Sequence, residues 1–212
     1  MSSAPIVWVD CEMTGLDLEN DALIEVSCIV TDDQLVALDE GIDVVIKPPA
    51  HTLTDMDEVV VTMHTESGLL DELDAGVSLE EAEAQLLAYV RSHVPEPRKA
   101  PLAGSSVHVD RAYLARDMPA FTEHLHYRIV DVSSIKELVR RWYPRAYFAS
   151  PNKRGGHRAL ADILDSINEL RYYREAVFVP APGPNSEDAK AITDALDSER
   201  DRSEQPVDSV TD

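Results

Sequence analysis

The sequence predicts an α/β fold, a single domain with a central mixed β-sheet flanked by helices and followed by an acidic tail. Apolar runs rich in β-branched residues come first, and segments with helical periodicity follow them, with one more strand between helices. With 212 residues, 44% of them hydrophobic, the chain is long enough to bury one core. No stretch approaches the roughly eighteen apolar residues of a membrane span, so no membrane partner is expected.

The first three predicted strands are short apolar runs separated by turn-forming segments. They comprise residues 6–12 (IVWVDCE), 22–33 (ALIEVSCIVTDD) and 41–49 (GIDVVIKPP). The last run ends in two prolines, which stop the strand.

A helical region follows these strands. Residues 53–74 have a mixed polar pattern that favours helix over strand. Ser78 and Glu81 have the spacing of a capping box, which predicts the start of a longer helix that Pro95 ends.

The second half alternates strands and helices. Residues 101–107 (PLAGSSV) predict a fourth strand that leads past Ser106 into a helix starting around Val109, with Asp110 in its first turn. Residues 128–132 (RIVDV) predict a fifth strand.

Two more helices complete the predicted domain, which spans residues 1–180. Ser134 and Glu137 predict a second capping box that opens a helix through Arg141. The last helix has five apolar residues at helical spacing: Leu160, Ile163, Leu164, Ile167 and Leu170. Residues 181–212 are acidic and proline-rich, which predicts a disordered tail with room for a short helix over residues 187–196.

Charge and cysteine content restrict the partners and the compartment. Forty acidic against nineteen basic residues give a net charge of −21, which disfavours long nucleic acid such as duplex DNA and favours a short substrate. The N-terminus lacks the features of a signal peptide, and Cys11 and Cys28 lie in apolar runs. We therefore expect a cytoplasmic protein with two buried free thiols.

Asp10 and Glu12 form the first candidate site. They are two apart in a predicted strand, so their side chains share one face of the sheet. Two carboxylates this close favour a hard divalent cation such as Mg²⁺ or Mn²⁺ between them. The alternative is a solvated strand end.

His157 and Asp162 form the second candidate site. Asp162 interrupts the apolar face of the last helix, where a buried carboxylate needs a counter-charge or an ion. His157 lies about 140° from it on an ideal helix, so Gly155 and Gly156 are expected to leave it on a flexible lead-in. A neutral imidazole there suits a general base, and the alternative is an exposed histidine without a role.

Three segments carry a resemblance to a known family. Residues 9–17 (VDCEMTGLD), 105–114 (SSVHVDRAYL) and 157–163 (HRALADI) resemble the three motifs of the DEDDh superfamily of 3′-to-5′ exonucleases. Residues 5–180 resemble the oligoribonuclease family in the order and spacing of their segments. The resemblance implies the ribonuclease H-like exonuclease fold and a homodimer.

The resemblance also implies a catalytic mechanism. Asp10, Glu12, Asp110 and Asp162 would hold two divalent cations, with Asp10 bridging them, and His157 would take a proton from the attacking water. Each turnover on a short RNA oligonucleotide, chiefly a dinucleotide, would release a nucleoside 5′-monophosphate.

Substrate contacts follow from the same resemblance. Leu16 would contact the terminal bases and His64 would lie near the scissile phosphate. Val59 occupies a position where relatives commonly have a tryptophan that stacks on a base.

A cap on the substrate is implied as well. Ser106, Arg128 and Ser133 would bind the 5′ phosphate, and Tyr127 would reach over from the partner subunit. Two alternatives remain open, namely a general DEDDh exonuclease acting on longer single strands of RNA or DNA and a catalytically silent nucleotide-binding module.

Overall fold

The structure is a computed structural model that describes residues 5–152 and 156–203. The chain divides into two compact units, of which the first ends at Ala176 and the second begins at Val177. This boundary lies close to the predicted one after residue 180. The predicted flexible lead-in at Gly155 lies outside the described residues.

The first unit is built around one mixed five-stranded sheet with the strand order β3-β2-β1-β4-β5. Its strands are β1 Ile6–Met13, β2 Leu23–Thr31, β3 Ile42–Val45, β4 Pro101–Gly104 and β5 His126–Asp131. The first three strands pair antiparallel, whereas β4 pairs in parallel with β1 and with β5. All five predicted strands and the mixed sheet are therefore confirmed.

Nine α-helices are described in this unit. They are α1 Ala50–Thr54, α2 Glu58–Glu66, α3 Leu69–Glu72, α4 Leu79–His93, α5 His108–Asp117, α6 Pro119–His124, α7 Val132–Trp142, α8 Pro144–Phe148 and α9 Ala159–Ala176. The capping box of Ser78 and Glu81 at the start of α4 is present, with both reciprocal hydrogen bonds. No helix among the described residues is long and apolar enough to cross a membrane.

The core lies on both sides of the sheet. Every residue of β2 is buried, and Trp8 is the largest of the fully buried side chains. Cys11 and Cys28 are buried and free, as predicted. The sheet is thus a rigid platform for any side chain at the end of β1.

The predicted capping box at Ser134 and Glu137 is wrong. The N-cap of helix α7 lies three residues earlier, at Asp131 at the end of β5, which accepts a hydrogen bond from the backbone N–H of Ser133. Glu137 instead binds arginine side chains one turn further on, Arg140 and Arg141.

The predicted apolar face of α9 is wrong in part. Leu164 is 48% exposed, while Ser166 and Glu169 are buried. Both polar residues have partners: Ser166 Oγ lies 2.9 Å from the hydroxyl of Ser105, and Glu169 accepts a hydrogen bond from Tyr173 at 2.8 Å. A pattern of apolar residues misses buried polar residues that have hydrogen-bond partners, whether on another element or on the same helix.

The second unit contains helix α10, Ser186–Ser203. The side chain of Asn185 caps it by accepting hydrogen bonds from the backbone N–H groups of Glu187 and Asp188, each at 2.9 Å. The helix is longer than the one allowed over residues 187–196, and it buries no residue. Disorder of the tail in solution stays a prediction.

Candidate active site

Three carboxylates meet at the end of β1. Asp10 and Glu12 share one face of that strand, and Asp162 lies in the first turn of α9. One ligand oxygen from each lies within 4.8 Å of the others. The structure thus brings together the two candidate sites that the sequence suggested separately, and the donor set fits a hard divalent cation.

Asp110 approaches the same place from the opposite side of β1. It is buried in the first turn of α5, and its Oδ1 accepts a hydrogen bond from the backbone N–H of Cys11 at 2.9 Å. Gly104, at the end of β4, allows that strand to lie close to β1, because a Cβ there would lie 2.7 Å from the carbonyl oxygen of Val9. Asp110 lies outside the group of three carboxylates but is anchored to the residue between Asp10 and Glu12.

The crowding of carboxylates changes their titration. Burial, together with the charges of Glu25, Asp162 and Asp110, raises the pKa of Glu12 to about 8, and the charge of Arg158 opposes the shift. Burial also raises the pKa of Asp110 to about 6. Both shifts mark a site where negative charge is costly, which a bound cation would relieve.

His64 lies against this cluster from helix α2. Its side chain is fully buried, and Nε2 lies 2.9 Å from the carbonyl oxygen of Met13, so the ring carries its proton on Nε2. Nδ1 faces Glu12 Oε2 at 3.9 Å and has no hydrogen-bond partner among the described residues. Burial lowers the pKa of His64, and the nearby charge of His157 lowers it further.

His157 lies outside α9, as the spacing to Asp162 predicted. It is exposed and has a left-handed backbone conformation with φ of 51°. Such a conformation is uncommon for a residue other than glycine. The imidazole therefore sits on an irregular segment between the undescribed residues 153–155 and the first turn of α9.

Sequence reasoning missed Glu25 and Arg158. Glu25 is fully buried on β2, directly opposite Glu12, and accepts a hydrogen bond from Arg158 Nε at 2.8 Å. Its other carboxylate oxygen accepts one from the backbone N–H of Ala159, also at 2.8 Å. The available signal was a charged residue inside an otherwise apolar strand, which requires a partner.

The two predicted cap serines lie side by side. Ser106 Oγ donates a hydrogen bond to Ser133 Oγ at 3.1 Å. Asp131 Oδ1 accepts the backbone N–H groups of both residues, at 3.0 Å from Ser106 and 2.9 Å from Ser133. Asp131, which the sequence interpretation did not single out, thus organises this pair.

The other predicted substrate residues are all exposed except His64. Arg128 Nε donates a hydrogen bond to the hydroxyl of Tyr127 at 3.2 Å, and both side chains project from β5. Leu16, in the turn after β1, is 78% exposed, and Val59 on α2 is 76% exposed. The Val59 side chain offers apolar surface without an aromatic ring.

Comparison with known proteins defines the class of protein. Residues 7–170 match the family model of the RNase T exonucleases. Among solved structures, exonuclease I of E. coli bound to an oligonucleotide superposes with a TM-score of 0.61 at 18% identity, over 82% of this chain and 41% of that one. Exonuclease I of Methylocaldum szegediense gives 0.56 at 20% identity, with the same coverage of both chains. This chain spans about two fifths of those enzymes, and the likeness establishes the exonuclease fold.

Curated relatives define the family within that class. The oligoribonuclease of Streptomyces avermitilis is 68% identical over 88% of this chain and 94% of its own length. That of Cutibacterium acnes is 58% identical over 85% and 90%. The chain belongs to the oligoribonuclease family and is a 3′-to-5′ exoribonuclease, which confirms the resemblance of its three motifs and disfavours a catalytically silent module.

Proposed function

We propose that this exoribonuclease acts on short oligoribonucleotides, chiefly dinucleotides, and releases nucleoside 5′-monophosphates at the end of RNA degradation. The observation that carries the proposal is the convergence of Asp10, Glu12 and Asp162 within 4.8 Å at the end of β1. The net charge of −21 supports a short substrate, because a long polyanion is repelled by most of such a surface. A cytoplasmic location belongs to the same proposal.

Four carboxylates are the proposed ligands of two divalent cations, Mg²⁺ or Mn²⁺. Asp10, Glu12, Asp110 and Asp162 would hold the two ions, with Asp10 as their shared ligand. The anchoring of Asp110 to the N–H of Cys11 supports this arrangement, because it holds the fourth carboxylate beside the other three. When bound, the cations activate water and stabilise the leaving 3′ oxygen.

His157 is the proposed general base. Its exposed ring can accept a proton from the attacking water and pass it to solvent. Leu16 contacts the terminal bases, and its exposed side chain supports that role. His64 lies near the scissile phosphate, a place supported by its 3.9 Å distance from Glu12.

A cap at the 5′ phosphate explains the length limit. Ser106 and Ser133 each offer a hydroxyl, Arg128 offers a guanidinium, and Asp131 holds the two serines together. A phosphate bound there would mark the 5′ end of a dinucleotide substrate. Charge-assisted hydrogen bonds to one phosphate also allow an acidic protein to bind RNA.

A homodimer is part of the proposal, with Tyr127 serving the partner's active site. Large apolar side chains are exposed on β5, α7 and α8, which supports a second copy as their cover: Tyr127, Ile129, Leu138, Trp142, Tyr143 and Phe148. A charge introduced by Trp142→Glu should give a monomer that has lost most activity. An equally active monomer would remove Tyr127 from the site.

The test is turnover of 5′-labelled RNA of two to ten nucleotides with Mg²⁺ or Mn²⁺, alongside EDTA and Asp162→Ala controls. Fast metal-dependent cleavage of the dinucleotide, with a steep fall at greater length, is the expected result. Equal rates at all lengths would contradict the cap and leave a general exonuclease on single strands. Turnover by Asp162→Ala at the wild-type rate would contradict the assignment of Asp162 as a metal ligand.

A further inference from the structure

Arg158 lies between three carboxylates that belong to three different elements. Its Nε and Nη2 atoms are each 2.8 Å from Glu25 Oε1 on β2, and Nη1 is 2.8 Å from Glu72 Oε1 on α3. Nη2 is also 3.1 Å from Glu72 Oε2 and 3.6 Å from Asp43 Oδ2 on β3. We name this group the Arg158 clamp; its members are Arg158, Glu25, Asp43 and Glu72.

The clamp holds the backbone at the point where the chain, just after His157, enters helix α9. Glu25 is fully buried, so its charge is stable only with strong partners, and it uses both oxygens on consecutive residues, Arg158 and Ala159. These two residues are therefore fixed to β2, next to Glu12 in the paired strand. His157 precedes them directly and has its own backbone in the left-handed region.

The contact to Glu72 goes beyond what the buried charge requires. Arg158 forms a two-pronged pair with Glu72, whose side chain is about half exposed. Glu72 ends helix α3, which follows closely after α2 with His64. The guanidinium thus links helix α3, which follows the helix that carries His64, to the segment that carries His157. A planar guanidinium can make these contacts together, whereas an ammonium cannot.

We infer that Arg158 is a positioning residue for His157, acting through Glu25 and Glu72, which sets how often the imidazole reaches the attacking water. This inference rests on the proposed role of His157 as the general base. It concerns placement of the base rather than binding of cations or RNA. Loss of the clamp should therefore lower kcat at saturating cation and leave KM unchanged.

The experiment compares Arg158→Ala, Arg158→Lys and Glu72→Gln with wild type on a 5′-phosphorylated RNA dinucleotide over a range of Mn²⁺ concentrations. We expect kcat at saturating Mn²⁺ to fall about 10- to 100-fold in Arg158→Ala, and less in the other two, with KM within about twofold. Millimolar guanidinium should restore part of the lost kcat in Arg158→Ala. Arg174→Ala is the control, since Arg174 lies near the far end of α9, where it pairs with Glu175 and donates a hydrogen bond to the carbonyl oxygen of Gln34.

A double variant separates placement of His157 from general support of the fold. If Arg158 acts through His157, adding Arg158→Ala to His157→Ala should cause no further loss. A further loss of similar size in that background, or a rise in half-activating Mn²⁺ that accounts for the fall in rate, would overturn the inference. If His157→Ala keeps wild-type kcat, the general base itself is wrongly assigned, and a loss in Arg158→Ala would then report another role.

Discussion

At the scale of single residues, Glu12 shows most directly how the fold prepares a cation site. Its carboxylate is buried beside Glu25, Asp162 and Asp110, and the pKa rises to about 8. The folded chain without a cation therefore binds this proton more tightly than the unfolded chain does. The contribution of Glu12 to the free energy of unfolding is therefore greatest at low pH and falls as pH rises from about 4.5 to about 8.

This sign predicts how cations stabilise the protein. Saturating Mg²⁺ or Mn²⁺ should raise the unfolding temperature at least about 2 °C more at pH 8 than at about pH 5.5, because protons compete for Glu12 at the lower pH. Differential scanning fluorimetry with and without EDTA measures this shift in unfolding temperature at each pH. Glu12→Gln should show a smaller pH difference, the remainder coming from Asp110 with its pKa of about 6; an undiminished difference in that variant would contradict the assignment.

The cap serines provide the second prediction at this scale. Ser133→Ala removes one hydroxyl from the pair with Ser106. A hydrogen bond to a charged group contributes about 1.5–3 kcal/mol, so KM for a 5′-phosphorylated dinucleotide should rise about 10-fold or more. Ser134→Ala is the matched control, since Ser134 is its exposed neighbour. A dinucleotide without the 5′ phosphate should not distinguish the two variants, and equal loss on both substrates would argue against the cap.

At the scale of elements, α9 carries Asp162 to the site through its packing on β1 and β2. The buried face comprises Ala159, Ile163, Ser166, Ile167, Glu169, Leu170 and Tyr173. Glu169 links α9 to α7 because Lys136 Nζ lies 2.9 Å from its carboxylate. Helix α7 in turn presents Ser133, so the helices that carry the proposed catalytic and cap residues are joined by an ion pair between a buried carboxylate and a partly exposed ammonium.

The corrected face of α9 gives a stability prediction. Ile163 is 1% exposed and Leu164 is 48% exposed, although the two are neighbours of similar size. Ile163→Ala should lower the free energy of unfolding by about 2–4 kcal/mol, and Leu164→Ala by less than about 1 kcal/mol. Urea denaturation followed by circular dichroism measures both. Equal losses would mean that the helix is rotated from the orientation described.

At the scale of the whole molecule, strong negative charge and an anionic substrate oppose one another. The chain carries 40 acidic and 19 basic residues, so repulsion grows with each phosphate of a longer RNA. Positive charge that can attract a phosphate is local: it comes from the exposed guanidinium of Arg128 and from the proposed cations. Selection for short RNA is thus expected to come from the charge of the molecule as well as from the cap.

The charge argument predicts an unusual salt response. Raising KCl from about 50 to about 300 mM should increase kcat/KM on a ten-mer relative to a dinucleotide, because screening weakens long-range repulsion. A nuclease that binds RNA through a basic surface shows the opposite trend. Competition of the two substrates in one reaction at each salt concentration gives the ratio of kcat/KM on the ten-mer to kcat/KM on the dinucleotide. A falling ratio would indicate a basic path for longer RNA.

The sequence by itself determined the five strands and their order along the chain, and its motifs supplied the five proposed catalytic residues, whereas the short helices α6 and α8 were not predicted. Such features are local: β-branched runs, proline stops and short motifs are legible without knowing what packs against them. Even at this level, Asp131 replaced Ser134 as the cap of α7, because the helix start depended on how β5 ended.

Only the tertiary structure decided what surrounds those residues. It brought Asp10, Glu12 and Asp162 together from opposite ends of the chain and placed Glu25 beneath them. It also paired Arg158 with carboxylates 133 and 86 positions away in the sequence. Partners at such distances leave no periodic pattern along the chain, and the energetic need of a buried charge for its counter-charge is met only when the elements pack.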